Sequence, residues 1–193
     1  MKVSVVNYGI GNLLSVERAL KHCGADVSFV DTADQIMSSD RLLVPGVGAF
    51  QMCMAELERR GLKEALIEYA AKEKPYLGIC VGMQMLMDMS FEFGEYAGLG
   101  LIPGCVKKIE IQGQKVPFVG WKEVVVSNQS SHFYFVHSYQ AIADDRNHVQ
   151  ATYKLGGHDI TAIVQKNNVV GVQFHPEKSA EDGLRYIADF LKL

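Results

Sequence analysis

The segment "PYLGICVGMQML" (75–86) decides how the rest of the sequence is interpreted. An apolar run reaches Cys80 and passes at once into residues with helical spacing, and a glycine stands two positions to either side of the cysteine. A side chain on a sharp strand-to-helix turn requires small neighbours, because the turn is crowded. The turn would place the sulfur at the carboxyl end of a strand and at a helix N-terminus, which favours thiolate. The segment predicts a nucleophile elbow; a small buried thiol is the alternative.

The first half of the chain alternates strand-like and helix-like segments on both sides of this elbow. The strands are "KVSVVNY", "DVSFV", "RLLVPGVG" and "PYLGIC", and the helices are "LLSVERALKHCG", "AFQMCMAELERRG", "LKEALIEYAAKEK" and "VGMQMLMDMS". Such alternation predicts βαβ units and a mostly parallel sheet covered on both faces. In the second half, short strands between turn signals predict antiparallel hairpins added to the sheet, and "SAEDGLRYIADFLKL" predicts a closing helix. We expect an α/β three-layer sandwich that forms a single domain over residues 1–193.

Composition narrows the function classes. The chain has 193 residues, 48% of them hydrophobic and 21% charged, with a net charge of −3, so nothing favours nucleic acid or an anionic membrane surface. No apolar run approaches the roughly 18 residues that span a bilayer, and the N-terminus lacks the features of a signal peptide. The cysteines show no CxxC pair or short metal-ligand spacing, so we expect a cytoplasmic protein with reduced thiols and no metal. We interpret three of them as packing residues: Cys23, Cys53 and Cys105.

A nucleophilic cysteine needs a base and a group that orients the base. Among six histidines, His175 stands out because it directly follows the apolar strand "VVGVQF" and should lie at a strand end. Pro176 biases it toward an extended backbone, in which residues two apart point to the same side. Glu177 can then reach the imidazole, hold its tautomer and stabilise the imidazolium. We predict a Cys80–His175–Glu177 triad; the alternative for His175 is a histidine bonded to a loop carbonyl.

The motifs "GICVGMQ" and "GVQFHPEKS" resemble those of the class I, triad-type glutamine amidotransferases, which have a flavodoxin-like fold. Over nearly the whole chain, "NYGIGNL", "VPGVGAF", "GLGLIPG", "VGW" and "YFVHSY" are similar to the glutaminase subunits of imidazole glycerol phosphate synthases in histidine biosynthesis. The resemblance implies that Cys80 attacks the glutamine side-chain amide, forms a glutamyl thioester and releases ammonia. His175 would protonate the departing nitrogen, so that it leaves as ammonia, and then activate water. No cofactor is implied.

The resemblance also implies the groups that hold the substrate. The backbone N–H of Val81, which directly follows the nucleophile, is one oxyanion donor by geometry, and the family places the second near Val47, in the oxyanion strand "PGVG" (45–48). From the residues alone, that strand would be an ordinary strand-ending turn. Six residues are implied in glutamine binding: Gly46, Gly48, Gln84, Glu92, His137 and Ser138. The alternatives for Gln84 and Glu92 are a solvent-facing helix residue and a surface charge.

The family implies a partner as well, a (β/α)8-barrel cyclase subunit that forms a heterodimer with the glutaminase and receives its ammonia. The cyclase makes imidazole glycerol phosphate and an aminoimidazole carboxamide ribotide. Asn12, Trp121 and Lys178 match positions at or near that interface, although core packing is the alternative for Trp121. The chain departs from the family pattern at Asn7, where we expect an acidic residue, and at Lys122, where we expect asparagine.

Three other functions compete with this interpretation. One is a glutaminase subunit that serves vitamin B6 or anthranilate synthesis. A second is a stand-alone cysteine hydrolase of the same fold, but in such proteins the histidine usually follows the cysteine closely, whereas here it lies 95 positions on (175 − 80). A third is a non-catalytic binding subunit, against which an intact triad argues.

Overall fold

The computed structural model describes residues 1–126 and 128–193. Strands and helices alternate in the first half: β1 (Lys2–Val6), α1 (Leu13–His22), β2 (Asp26–Val30), α2 (Ala33–Ser38), β3 (Leu42–Gly46), α3 (Phe50–Arg59), α4 (Lys63–Ala70), β4 (Tyr76–Cys80) and α5 (Val81–Gln84). The second half consists mainly of strands and ends in a helix: β5 (Met89–Ser90), β6 (Tyr96–Ala97), β7 (Gly104–Lys108), β8 (Phe118–Val126), β9 (Gln129–His137), β10 (Tyr139–Ala143), β11 (Val149–Leu155), β12 (His158–Lys166), β13 (Val169–Val172) and α6 (Ala180–Leu191).

The central sheet has the strand order β11-β12-β13-β4-β3-β1-β2. Its parallel part follows the order of flavodoxin-like sheets, with β13 as the fifth strand. Strands β3, β4 and β13 are buried along their whole length, as expected for a sheet covered on both faces. Helix α1 packs with α6, while α2 and α3 pack with α4, which gives a helical layer on either side. The predicted α/β sandwich with a mostly parallel central sheet is confirmed.

The second half corrects one expectation. Strands β11 and β12 extend the central sheet in antiparallel fashion, as predicted. The others form two further sheets, a four-stranded one in the order β10-β7-β5-β6 and the hairpin β8-β9. The sequence did not indicate β5 and β6, because a strand of two residues leaves no alternation to detect.

The predicted helix "VGMQMLMDMS" is also shorter than expected, since α5 ends at Gln84. The N–H groups of Leu99, Leu101 and Gly100 bond to the carbonyls of Met85, Leu86 and Met87, respectively. These carbonyls would otherwise accept bonds from the next helical turn, so tertiary pairing overrides helix propensity here. The elbow is therefore followed by a single helical turn, whose dipole is much weaker than that of the helix we expected.

Within the described ranges, no helix has both the length and the apolar character needed to cross a membrane. The assignment of residues 1–193 to a single domain stays a prediction.

Candidate active site

Cys80 lies on a strained turn between β4 and α5. Its backbone has φ 55° and ψ −110°, a conformation that a residue with a Cβ adopts only at a cost of about 1–3 kcal/mol. The flanking glycines make the turn possible. A Cβ on Gly78 would come within 2.5 Å of the Gly82 carbonyl oxygen, and a Cβ on Gly82 within 2.1 Å of the Val44 carbonyl oxygen. The turn therefore has the geometry of the predicted nucleophile elbow.

The sheet brings the predicted site residues together at the carboxyl ends of three adjacent parallel strands. Gly46 at the end of β3 pairs with Cys80 at the end of β4, and Val172 at the end of β13 pairs with Ile79. Ligands bind at this edge of open α/β sheets. A cavity of about 310 Å³, near the lower limit for small-molecule sites, opens here. Its walls include Val47, Gly48, Cys80, Val81, Gln84, Glu92, His137, Ser138, Tyr139 and His175.

His175 and Glu177 form a buried pair behind the cavity. Nδ1 of His175 lies 2.8 Å from Oε1 of Glu177, and the two side chains are 3% and 2% exposed. Burial by itself lowers the pKa of His175, but hydrogen bonds to Cys80 and Glu177 and their charges outweigh burial and raise the pKa to about 10. Because Glu177 occupies Nδ1, Nε2 is the nitrogen left for the sulfur. At neutral pH this arrangement favours the protonated imidazolium of His175 beside Cys80.

The segment after β3 approaches the elbow closely and is anchored at three points. A Cβ on Gly46 would come within 2.6 Å of the Gly82 nitrogen, so this position requires glycine. The Tyr8 hydroxyl donates to the Pro45 carbonyl at 2.7 Å, and the Cys53 thiol lies 3.5 Å from the Val47 carbonyl. The Phe50 N–H, at the start of α3, donates to the Glu92 carboxylate at 2.6 Å. The anchors bracket the Gly46–Val47 peptide.

Cys53 thus belongs to the surroundings of the site. Burial raises the pKa of its thiol to about 11, so it remains a neutral donor at physiological pH. This agrees with its interpretation as a packing residue, but its carbonyl partner lies in the segment that was assigned to oxyanion stabilisation.

Gln84 and Glu92 present acceptors to the cavity. Nε2 of Gln84 donates to the Tyr139 carbonyl at 3.2 Å and to Oε1 of Gln173 at 3.0 Å. Both of its protons are therefore in use, and its Oε1 is the atom available to a ligand. Glu92 is 9% exposed and uses one carboxylate oxygen to bond the start of α3. Neither residue is the surface group that the sequence left as an alternative, and together they suit a cationic group such as an α-ammonium.

His137 is buried, and both of its ring nitrogens already have partners. Nδ1 donates to the Tyr139 carbonyl at 2.7 Å, so Nε2 accepts from the Tyr153 hydroxyl at 2.9 Å. Burial lowers the pKa of His137 to about 4, which keeps the ring neutral. A contact between His137 and substrate would therefore go through its backbone, while the ring fixes the turn that carries Ser138.

The three residues assigned to the partner interface lie at the surface. Trp121 is 50% exposed and Lys178 is exposed, while Asn12 begins α1 with a side chain that caps none of its N–H groups. Core packing of Trp121, the alternative from sequence, is wrong. One groove joins Trp121 to Ala180, and another joins Ala180 to α1 between Ser15 and His22.

The two departures from the family pattern have simple settings. The Asn7 side chain accepts from the Gly9 N–H at 3.3 Å, within the turn that leads to α1. The Lys122 ammonium lies 5.1 Å from the centre of the Phe118 ring and 6.0 Å from that of Tyr153, a favourable cation–π geometry.

Gln173 is a site residue that the sequence argument missed. It is fully buried, and its Nε2 lies 3.7 Å from the Cys80 sulfur. The predicted extended backbone from His175 to Glu177 is wrong, because residues Pro176–Lys178 form a short 3-10 helix, and this turn brings Glu177 to Nδ1 of His175. A signal for Gln173 was present, because it lies two residues before His175 after the apolar strand. Over the part of the chain that the structure describes, no group of three or more His, Cys, Asp or Glu side chains is placed to hold a metal ion.

Comparison with known proteins places this geometry in context. The family model "Glutamine amidotransferase class-I" matches residues 4–193. The imidazole glycerol phosphate synthase subunit HisH 1 of Legionella pneumophila (strain Lens) is 41% identical over an alignment of 210 positions, which covers 99% of each protein. The chloroplastic imidazole glycerol phosphate synthase hisHF of Arabidopsis thaliana is 43% identical over an alignment of 200 positions, which covers 98% of this chain and 34% of that protein.

Solved structures support the fold. A crystal structure of a glutamine amidotransferase superposes with a TM-score of 0.80 at 21% identity and covers 99% of both chains. PurLQS from Thermotoga maritima gives a TM-score of 0.79 at 21% identity, covering 99% of this chain and 97% of that one.

Proposed function

The chain belongs to the class-I glutamine amidotransferase family, and from that premise we propose that it is the glutaminase subunit of an imidazole glycerol phosphate synthase. It hydrolyses glutamine to glutamate and passes the ammonia to a cyclase subunit. The observation that carries the proposal is the buried His175–Glu177 pair beside Cys80 on its strained elbow. Relatives that match nearly the full chain bear the name of this synthase rather than that of a vitamin B6 or anthranilate enzyme.

The Cys80 thiolate attacks the side-chain amide carbon of glutamine. The negative charge that develops on the amide oxygen is stabilised by the Val81 N–H, which has no intrahelical partner because it opens α5. The second donor is the Val47 N–H, in the peptide that the anchors at Pro45, Val47 and Phe50 bracket.

His175 gives its Nε2 proton to the departing nitrogen, and ammonia leaves a glutamyl thioester. The neutral imidazole then takes a proton from water, and the hydroxide cleaves the thioester to glutamate and regenerates the thiolate. Glu177 holds Nδ1–H throughout, so that Nε2 always faces the reaction. Gln84 and Glu92 receive the α-ammonium group of the substrate, and Ser138 with the neighbouring backbone receives its α-carboxylate.

The partner is a (β/α)8-barrel cyclase that docks as a heterodimer at the face that carries Asn12, Trp121 and Lys178. The Arabidopsis thaliana relative supports a close association, since the matched region is 34% of a longer chain with the synthase name. Its remaining length exceeds the roughly 250 residues of a typical barrel. We place the reaction in the cytoplasm, where Cys80 stays reduced.

The test is glutamine hydrolysis by the purified chain, alone and with the cyclase subunit and its ribotide ligand. We expect strong stimulation by the liganded partner. The Cys80→Ala variant should lose glutamine hydrolysis yet leave synthesis from added ammonium salts intact in the complex. If the cyclase does not change the rate of glutamine hydrolysis, the chain serves another synthase. If the Cys80→Ala variant still hydrolyses glutamine, Cys80 is not the nucleophile.

A further inference from the structure

A chain of three hydrogen-bonding groups runs from the wall of the substrate cavity to the nucleophile, and the mechanism above does not use it. Gln84, which lines the cavity, donates to Oε1 of Gln173 at 3.0 Å, and Nε2 of Gln173 points to the Cys80 sulfur at 3.7 Å. Gln173 is 0% exposed and Gln84 is 4% exposed. A buried amide at this position requires satisfied hydrogen bonds on both of its ends.

The direction of the chain is fixed by its outer end. The Tyr139 carbonyl can only accept, so the group of Gln84 that faces it at 3.2 Å is the amide nitrogen. The second proton of that nitrogen requires an acceptor, which is Oε1 of Gln173. The amide nitrogen of Gln173 must then face the sulfur. If the side-chain amide of Gln173 were flipped, its nitrogen would face the amide nitrogen of Gln84, which is also a donor, and its oxygen would face the sulfur.

We propose that Gln173 is a positioning residue that stabilises the Cys80 thiolate by donating an Nε2–H hydrogen bond to the sulfur, oriented by Gln84 and the Tyr139 carbonyl. The inference rests on the proposed function in one respect, that Cys80 is the nucleophile. Two observations indicate that the Nε2–H donor of Gln173 matters for stabilising the thiolate. Helix α5 is a single turn and supplies little dipole, and Gln173, unlike His175, carries no charge that titrates.

The hydrogen-bond chain from Gln84 through Gln173 to Cys80 also links substrate recognition to the nucleophile. A cation at Oε1 of Gln84 polarises the Gln84 amide, which strengthens its bond to Gln173 and, in turn, the N–H that faces the sulfur. Binding of the substrate's α-ammonium group near Gln84 therefore favours the thiolate form of Cys80.

The experiment measures alkylation of Cys80 by iodoacetamide as a function of pH, followed by mass spectrometry of the Cys80 peptide. Gln173→Met keeps the length of the side chain and removes its donor. We expect the midpoint of its profile to move to higher pH by about one unit, so that alkylation slows about tenfold at any given pH on the acidic limb of the profile. Gln84→Met, which releases Gln173 to rotate, should shift the midpoint in the same direction by less. Gln165→Met is the matched control, because Gln165 is exposed and bonds to the Asn167 carbonyl.

A Gln173→Met profile that coincides with the wild-type profile would overturn the inference. If that variant does not fold, Gln173→Leu and Gln84→Met decide in its place. The experiment needs neither glutamine nor a partner, so it separates two failures. If the wild-type protein hydrolyses glutamine but substitution of Gln173 does not shift the alkylation profile, only this inference is refuted. A Gln173-dependent profile in a protein that never hydrolyses glutamine refutes only the proposed function.

Discussion

Replacement of Glu177 tests whether the buried carboxylate acts through the imidazole. In Glu177→Gln, the new amide oxygen can accept the Nδ1–H of His175 where Oε1 does at 2.8 Å. The amide nitrogen would then occupy the place of Oε2, a buried oxygen without a hydrogen-bond partner among the described residues. We therefore expect this variant to keep the tautomer of His175 and lose only the charge. Glu177→Ala loses both.

The magnitudes follow from this difference. A hydrogen bond to a charged group contributes about 1.5–3 kcal/mol and a neutral one about 0.5–1.5 kcal/mol. Loss of the charge alone then costs about 1–1.5 kcal/mol, or roughly tenfold in kcat, at about 1.4 kcal/mol per factor of ten. Loss of the whole bond costs about 1.5–3 kcal/mol, or roughly 10- to 150-fold.

The pH dependence gives an independent check. His175 must be protonated to release ammonia, and its pKa is raised to about 10, in part by Glu177. As pH rises, Glu177→Gln should therefore lose activity at a lower pH than the wild type does. For stability, a pKa raised on folding contributes fully below the ordinary value of about 6.5 and is lost as pH rises toward 10. The stability gap between wild type and Glu177→Gln should therefore be largest near pH 6 and shrink toward pH 10.

The assay is steady-state glutamine hydrolysis in the complex with the liganded cyclase from pH 6 to 10.5, with urea unfolding at both ends of that range. Glu68→Gln removes an exposed carboxylate on α4, away from α1 and α6, and should change neither measurement. Equal losses in the two Glu177 variants, with an alkaline limb that does not move, would refute the argument that Glu177 acts through His175.

Three further substitutions test the elbow, the oxyanion segment and the partner surface. Gly82→Ala should lower the free energy of unfolding by about 3 kcal/mol or more, because its Cβ meets a backbone oxygen, while Gly24→Ala, with open space around it, should cost about 1–2 kcal/mol; urea unfolding measures both. Tyr8→Phe leaves the Pro45 carbonyl without its donor and should lower kcat with little change in KM, whereas a higher KM alone would contradict an oxyanion role. Trp121→Ala should weaken cyclase binding about 30-fold or more in a titration and leave stability nearly unchanged, with Phe29→Ala as the surface control.

The sequence predicted the parallel half of the fold except for the short helix α2 (Ala33–Ser38), because the apolar strands and the longer amphipathic helices there obey simple periods. Its predictions were weaker where tertiary pairing overrides local preference. The methionines after Gln84 have helical spacing, but the carbonyls of residues 85–87 bond to the segment 99–101 instead. The separate sheets of the second half could not be foreseen, because alternation fixes which face of a strand is buried but not its neighbour.

For the site, the sequence predicted Cys80, His175 and Glu177, because the glycines of a strained turn and a histidine directly after an apolar strand can be recognised in a single chain. The backbone that joins His175 to Glu177 is a 3-10 helix and not the extended segment that we predicted. The sequence did not predict the residues that hold the site segments in place. Cys53 and Tyr8 are apolar-looking residues in ordinary positions, and their polar atoms matter only because β3 passes beside them. Gln173 lies two residues before His175, but nothing in the sequence specifies that a second glutamine would orient its amide.

The unusual local features of this molecule occur together, and sheet register is the reason that the fold tolerates them. The positive φ at Cys80, the desolvation of the His175 and Glu177 charges and the desolvation of the Gln173 amide each carry a cost in free energy. All three lie at the ends of β4 and β13, two adjacent strands that are buried along their length and paired in fixed register. A shift of one residue in either strand would turn its side chains to the opposite face of the sheet and remove the extensive apolar burial of the core. The packing that stabilises the fold thus also sets the distance between sulfur and imidazole, so substitutions in the core of β4 or β13 should impair catalysis before they unfold the chain.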